Sequence, residues 1–299
     1  MGWFKEVVKH YGARVITLGG LSGRDLAAQL WKRLFRDDLF GRAAQLSYYF
    51  LLAIFPLLIF VSAFWYIFAT QQALYLRLLF YLQSVMPAPA FDLLSGTLQE
   101  ISQDEVGGKV TLGLVFSLWI ASSGMEAIIE GLNRAYTVTE ARPSWRRRLV
   151  ALALTVSLGF LVMAAAFLIL ASRALAVDIG GYFPIVEQAG NLSTATQWII
   201  GIFFLLSALT LIFRFAPNLR QPRLEACLPG AVLSLVCWLA ASAGFKAYLF
   251  AFGTFARTYG SLGAVIVLLI WLYVSGAAIL IGGELNSIIW QAVVQRRRT

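Results

Sequence analysis

Charge is scarce in this sequence. Only 13% of its 299 residues are Asp, Glu, Lys or Arg, about half the share usual in a soluble globular domain. Hydrophobic residues make up 60%. That balance excludes an ordinary cytosolic enzyme, a disordered chain and a secreted disulfide scaffold. Histidine is nearly missing, with His10 the single one. The two cysteines, Cys227 and Cys237, share one apolar stretch. They read as small core residues, not as a disulfide or a metal pair. No His, Cys, Asp or Glu cluster has metal-ligand spacing, so zinc hydrolysis and Ser-His-Asp or Cys-His catalysis are excluded on inventory. There is no phosphate loop, no GxGxxG fingerprint and no strong internal repeat. No catalytic residue, metal or cofactor is expected.

What the chain has is long apolar runs. A spanning helix needs about 20 mostly apolar residues. Six segments qualify, near 47–70, 107–125, 149–172, 197–215, 228–250 and 262–283. The expected fold class is an all-α polytopic membrane bundle. Residues 1–46 form an N-terminal segment before it, and 284–299 a basic tail after it. The first apolar run is short and is broken by Lys5, Glu6, Lys9 and Arg14, which argues against a cleavable signal.

The net charge of +9 is distributed unevenly. Segments 1–46, 126–148, 214–227 and 284–299 hold 19 of the 24 Lys and Arg residues. The opposite loops hold only Arg77, Arg173 and Arg257. The positive-inside rule then places both termini in the cytoplasm. Arg146, Arg147 and Arg148 anchor the third span there, and Arg296, Arg297 and Arg298 the sixth.

Two segments outside the spans have helical character. In 24–41, Leu26, Leu30, Trp31, Leu34 and Phe35 fall on one face, with Lys32, Arg33 and Arg36 off it. This amphipathic helix lies either on the membrane surface or on the protein itself. The first outer loop opens with an apolar run, Leu74 to Val85, breaks at Pro87 and Pro89, and continues as a polar helical stretch to Gln103. It reads as an interfacial or re-entrant helix.

Ionisable residues in spans are costly and mark candidate sites. Lys246 lies toward the outer end of the fifth span. It either snorkels to the interface or sits in a cavity, where Arg257 and Tyr259 extend a basic site. Glu126, Glu130 and Arg134 follow one another at i,i+4 on one helical face. They form either a salt-bridged helix end or a polar gate facing Arg214. Glu284 and Asn286 close the sixth span after Gly282 and Gly283, where another helix can approach closely. Pro56 interrupts the first span and is a hinge candidate.

Several blocks together resemble the YihY/BrkB family of bacterial inner-membrane proteins. They are AAQLSYYFLLAIFPLLIF (43–60), SSGMEAIIEGLNRAY (122–136), RPSWRRRL (142–149), FRFAPN (213–218), PGAV (229–232) and YGSLGAVIVLLIWLYVSGAAILIGGELN (259–286). Glu126 and Glu130 depart from the pattern, standing where variable or basic residues are expected. The resemblance implies six helices and cytoplasmic termini. The family has carried a ribonuclease label, which a chain with one His and no soluble domain does not support. It is also similar to proteins proposed to export or flip envelope lipids. The expected function is transport or flipping of an anionic lipid or amphiphile that supports envelope integrity. The alternatives are a proton-coupled small-solute transporter or channel, and a non-transporting envelope-assembly scaffold. Expected partners are anionic membrane lipids, a second copy of the chain as a homodimer, and envelope-biogenesis proteins; nucleic acid is not among them.

Overall fold

A computed structural model describes residues 21–68, 109–180, 189–219, 224–251 and 261–295. Among these the chain is all-helical, in the order α1 (Gly23–Arg36), α2 (Leu39–Phe68), α3 (Lys109–Ala135), α4 (Ser144–Gly180), α5 (Ala189–Phe215), α6 (Leu224–Ala251) and α7 (Ser261–Gln295). The outer-loop stretch 74–103, Arg257 and Tyr259 lie outside the described residues. Four windows are long and apolar enough to cross a membrane: Ser144–Ala165, Ala195–Phe215, Ala226–Tyr248 and Val265–Val293. Helices α2 and α3 overlap the other two expected spans at 47–68 and 109–125, and α2 continues through Pro56. Helix α7 runs to Gln295, past the point where apolarity alone ended the sixth span.

Contacts divide the chain into two units. One comprises 53–121 and 155–208, the middle and far stretches of α2 to α5. In it Phe160, Trp198, Ile199 and Phe203 stand out from their helices, each more than 60% exposed. Large apolar side chains in that number on a surface fit lipid, not water.

The other unit holds residues up to 52, 122–154 and 209–299. It carries α1, the near ends of α2 to α5, and all of α6 and α7, and its core is at this end. Ala43, Leu46, Ile129, Leu132, Phe213, Ile288 and Ile289 are all essentially inaccessible. Glycine lets the helices approach. A Cβ on Gly276 would stand 3.1 Å from Leu46 Cβ, and one on Gly282 would run into Ser234 Oγ and the Gly230 carbonyl. Helices α6 and α7 therefore meet backbone to backbone, the arrangement small residues permit in membranes.

Local sequence sets the ends of these helices. Ser22 caps α1 by accepting from the Asp25 amide at 3.2 Å, with Asp25 in the first turn. Helix α3 stops at Thr137, which adopts φ of +56°. The Val138 amide then donates to the Asn133 carbonyl and the Thr137 amide to Arg134, each at 2.9 Å. That is the Schellman closure, built on a threonine where glycine is usual.

Candidate functional site

Polar side chains in the second unit gather where α1, α3, α6 and α7 come together. Three clusters result, each fixed by a feature of its helix.

The first cluster joins α7 to α6 beside a proline. Pro229 sits inside α6 and cannot donate a backbone hydrogen bond. Asn286 of α7 is buried opposite it. Its Oδ1 accepts from the Gly230 amide at 2.7 Å, and its Nδ2 donates to the Cys227 carbonyl at 3.0 Å. Backbone groups in an apolar span need such partners. Glycine at 230 is what leaves room for the amide, since a Cβ there would collide with Asn286 and the Gly282 carbonyl.

The second cluster ties α1 to α7. Leu26 packs on Ile288, Ile289 and Val293, with Leu30 alongside. The leucines of the amphipathic face of α1 thus pack on the protein. Trp31 and Phe35 remain exposed and stack edge-on at 5.2 Å. Arg33 donates to Ser287 Oγ at 3.0 Å and to Gln291 Oε1, and lies 3.8 Å from Glu284 Oε2. Ser287 in turn donates to the Ala135 carbonyl at the end of α3, at 2.7 Å. Burial lowers the Arg33 guanidinium from its usual value, and Glu284 opposes that shift. Glu284 Oε2 is buried and accepts no hydrogen bond. Beside it lies a cavity of about 10 Å³ lined by Asp37, Arg42, Arg134 and Leu280, close to the space one water needs.

The third cluster is basic. Glu126 takes Arg148 at 2.6 Å and Arg147 at 3.7 Å, which joins α3 to α4. Glu130 faces Arg42 of α2 at 3.7 Å. In the loop after α3, Glu140 is held by Arg142 at 2.7 Å and by Asn133 at 2.8 Å. Arg142 also donates to the Ala216 carbonyl, and Asn133 accepts from the Asn218 amide. Hydrogen bonds from Arg142 keep the Glu140 carboxyl below its usual range, against the effect of burial. Between these groups is a cavity of about 200 Å³, lined by Arg42, Glu130, Asn133, Arg134, Glu140 and Arg147.

Glu126, Glu130, Arg134, Glu284 and Asn286 thus gather at one end of this unit. Arg214 is near, but its guanidinium lies over the Phe215 ring at 5.3 Å. The cations facing Glu126 and Glu130 are Arg147, Arg148 and Arg42. Lys246 is elsewhere. It is exposed on α6, about 24 Å along the helix from Gly230 at 1.5 Å per residue, and lines neither cavity. Arg33 and Arg147 were read from sequence only as charge beside a helix face and as a span anchor, and Arg42, Asn133, Glu140 and Ser287 were not singled out. The one signal for them was their place in or beside the family-like blocks.

These blocks reappear in known proteins. The profile of the family described as Virulence factor BrkB matches residues 30–299. The chain belongs to the BrkB family. Among its relatives, YfkH of Bacillus subtilis (strain 168), which bears a ribonuclease-like name, is 32% identical over 83% of this chain and 89% of its own length. A UPF0761 membrane protein of Xanthomonas campestris pv. campestris (strain B100) is 31% identical over 86% of this chain. Another, from Xanthomonas axonopodis pv. citri (strain 306), is also 31% identical over 86% of it. This BrkB chain spans 59% of the length of each Xanthomonas protein. No solved structure matches it. Membership agrees with a multi-pass membrane protein and with the blocks that suggested it.

Proposed function

We propose that this chain is a six-span inner-membrane protein, with both termini cytoplasmic, that translocates an anionic lipid or amphiphile. Each of α2 to α7 makes one crossing. One observation carries the functional reading: the arginine-lined cavity of about 200 Å³ where α2 begins, α3 ends and α4 begins. Polar, cationic space beside lipid is suited to a headgroup whose tails stay in the bilayer. Nothing in these residues supports RNA cleavage, and the ribonuclease-like name belongs to the Bacillus relative.

A lipid-flip assay tests this reading. Purified protein is reconstituted into liposomes with a fluorescent anionic lipid, and a membrane-impermeant quencher bleaches the outer leaflet. Bleaching beyond half in protein-containing liposomes supports translocation. Bleaching equal to that of empty liposomes, with protein shown to be folded and inserted, removes it. Lys246→Ala, run alongside, reports whether the exposed lysine takes part.

A second reading rests on Glu284, whose buried Oε2 accepts no hydrogen bond. An intramembrane carboxylate beside a water-sized cavity is the form a proton relay takes. Flux of a small solute that responds to pH in wild type, and loses that response in Glu284→Gln, would favour it over lipid transport.

A further inference from the structure

The 200 Å³ cavity draws its walls from four separate stretches: Arg42 at the start of α2, Glu130 and Arg134 on α3, Glu140 in the following loop, and Arg147 on α4. The charge on these walls is not balanced. Glu140 is occupied by Arg142 and Asn133, each oxygen already accepting. Glu126, which faces Arg147 from α3, has its closest contact with Arg148. Arg147 is left at 3.7 Å from Glu126, too far for a hydrogen bond. Arg42 is likewise 3.7 Å from Glu130, whose side chain is 67% exposed and screened by solvent. Arg134 forms no ion pair among the described residues. Three guanidiniums therefore border one space with a single loosely held carboxylate among them.

Two of these arginines also carry a donor that nothing accepts. The Nε atoms of Arg42 and Arg147 are buried and have no hydrogen-bond partner. Buried donors without acceptors are uncommon and destabilising, more so when charged. Guanidiniums fit both carboxylate and phosphate oxygens. A planar carboxylate offers two oxygens to one fork. Three forks set around a space on different elements suit a tetrahedral group, which offers oxygens in several directions. The cavity has room for such a group and its waters but not for acyl chains as well. Exposed Glu130 and half-exposed Arg147 on its wall leave it open to entry.

We propose that Arg42, Arg134 and Arg147 form a binding site for a phosphoryl group, presented by a lipid headgroup or by free phosphate. The site deepens the translocation reading and rests on it for its physiological meaning, but binding is separable from transport. Arg42 and Arg147 supply guanidiniums from two walls, and Arg134 supplies the accessible fork. Glu130 is the one carboxylate the ligand displaces from Arg42.

The test uses the full-length protein. In one arm it is assembled into phosphatidylcholine nanodiscs containing either phosphatidate or diacylglycerol, released into mild detergent, and its retained lipids are counted by native mass spectrometry. In a second arm inorganic phosphate is titrated against the same nanodiscs without phosphatidate, and the melting temperature is followed. Wild type is expected to retain phosphatidate over diacylglycerol, with retention falling at least tenfold in Arg134→Gln and in Arg42→Gln. Arg134→Lys keeps the charge without the fork and is expected to fall between. Arg146→Gln removes the same charge one residue from Arg147, on a side chain stacked over Trp145, and is expected to retain lipid as wild type does. Stabilisation by inorganic phosphate alone, lost in Arg134→Gln, assigns the site to free phosphate instead of a headgroup. Arg134 is exposed, so its substitution leaves folding intact, which size exclusion and circular dichroism confirm. Binding of neither probe, or equal loss in Arg146→Gln, overturns the site. Phosphatidate retention unchanged in Arg134→Gln and Arg42→Gln also overturns it, and lipid flipping retained beside that result leaves translocation standing. Binding as expected without any flipping keeps the site and removes the transport reading.

Discussion

The closest approach in the structure gives the sharpest prediction. Gly282 of α7 faces Gly230 and Ser234 of α6, and a Cβ at 282 would overlap Ser234 Oγ and the Gly230 carbonyl oxygen and stand 3.0 Å from its carbon. The serine can rotate away; the Gly230 backbone cannot. Gly282→Ala is accommodated only if the two helices part by roughly an ångström, the shortfall from ordinary contact. Overpacking of this kind costs about 1–3 kcal/mol. The same separation stretches the 2.7 Å and 3.0 Å hydrogen bonds from Asn286 to α6, each worth about 0.6–1.7 kcal/mol in a bilayer setting. The expected loss is therefore about 2–5 kcal/mol, from overpacking plus one or both bonds. Gly244→Ala and Gly201→Ala serve as controls, because a Cβ at either meets nothing within 4 Å. Replacing glycine by alanine in an open helical position stabilises by up to about 1 kcal/mol. All three variants are unfolded by SDS in mixed micelles and followed by circular dichroism. A Gly282→Ala midpoint equal to wild type, or to the two controls, would refute the close approach.

Three further perturbations follow from the polar clusters. Asn286→Val removes both bonds beside Pro229, an expected loss of about 2–4 kcal/mol, read by SDS unfolding; a value below 0.5 kcal/mol would show that these bonds do not hold α6 to α7. Arg33→Met strips Glu284 of its one described ion partner and is expected to cost about 3 kcal/mol. Arg33→Met combined with Glu284→Gln is expected to recover much of that, with hydrogen exchange of α1 as the readout. Glu140 has its carboxyl held below the usual range by Arg142. Its folded state therefore binds its proton less readily than the unfolded chain. The stabilisation is present above the unfolded value near 4.3 and is lost as pH falls below it through the lowered folded value. Melting of wild type should steepen with acid over that window, and Glu140→Gln should flatten the response.

What could be read in the sequence is what depends on near neighbours. The six apolar runs coincide with α2 to α7 because length and apolarity are properties of a single segment. The pairing of Gly282 and Gly283 with close packing was visible for the same reason: Gly283 meets Leu132, and Gly282 meets Gly230. What depends on distant partners could not be read. Asn286 looked like half of a helix-end pair with Glu284. Its hydrogen bonds go instead across to residues 227 and 230, beyond any local pattern. Arg42 and Arg147 read as charge that orients a span and Arg134 as part of a charged face on α3, and only the fold brings them around one cavity. Lys246 drew attention because apolar residues surround it in sequence, yet α6 leaves it exposed.

The positions of the family-like blocks carry one more step. They are scattered from residue 43 to 286 in sequence. Their buried members converge on the same unit: Ala43 and Leu46 from the first block, Ser122, Ile129 and Asn133 from the second, Phe213 and Ala216 from FRFAPN, Gly230 and Ala231 from PGAV, Glu284 and Asn286 from the last. Lipid-facing surfaces need only be apolar, and many sequences satisfy that. Buried hydrogen-bonded polar groups demand particular partners at particular distances, so few sequences satisfy them. A resemblance made of such blocks therefore marks the part of the molecule whose geometry is most specified. That part holds the polar clusters, where Asn286 bonds α6, Arg33 fastens α1, and three arginines border an open cavity. If the chain moves an anionic headgroup, the engagement belongs at this end, and Arg134→Gln is the single change expected to weaken binding while leaving the surrounding hydrogen bonds in place.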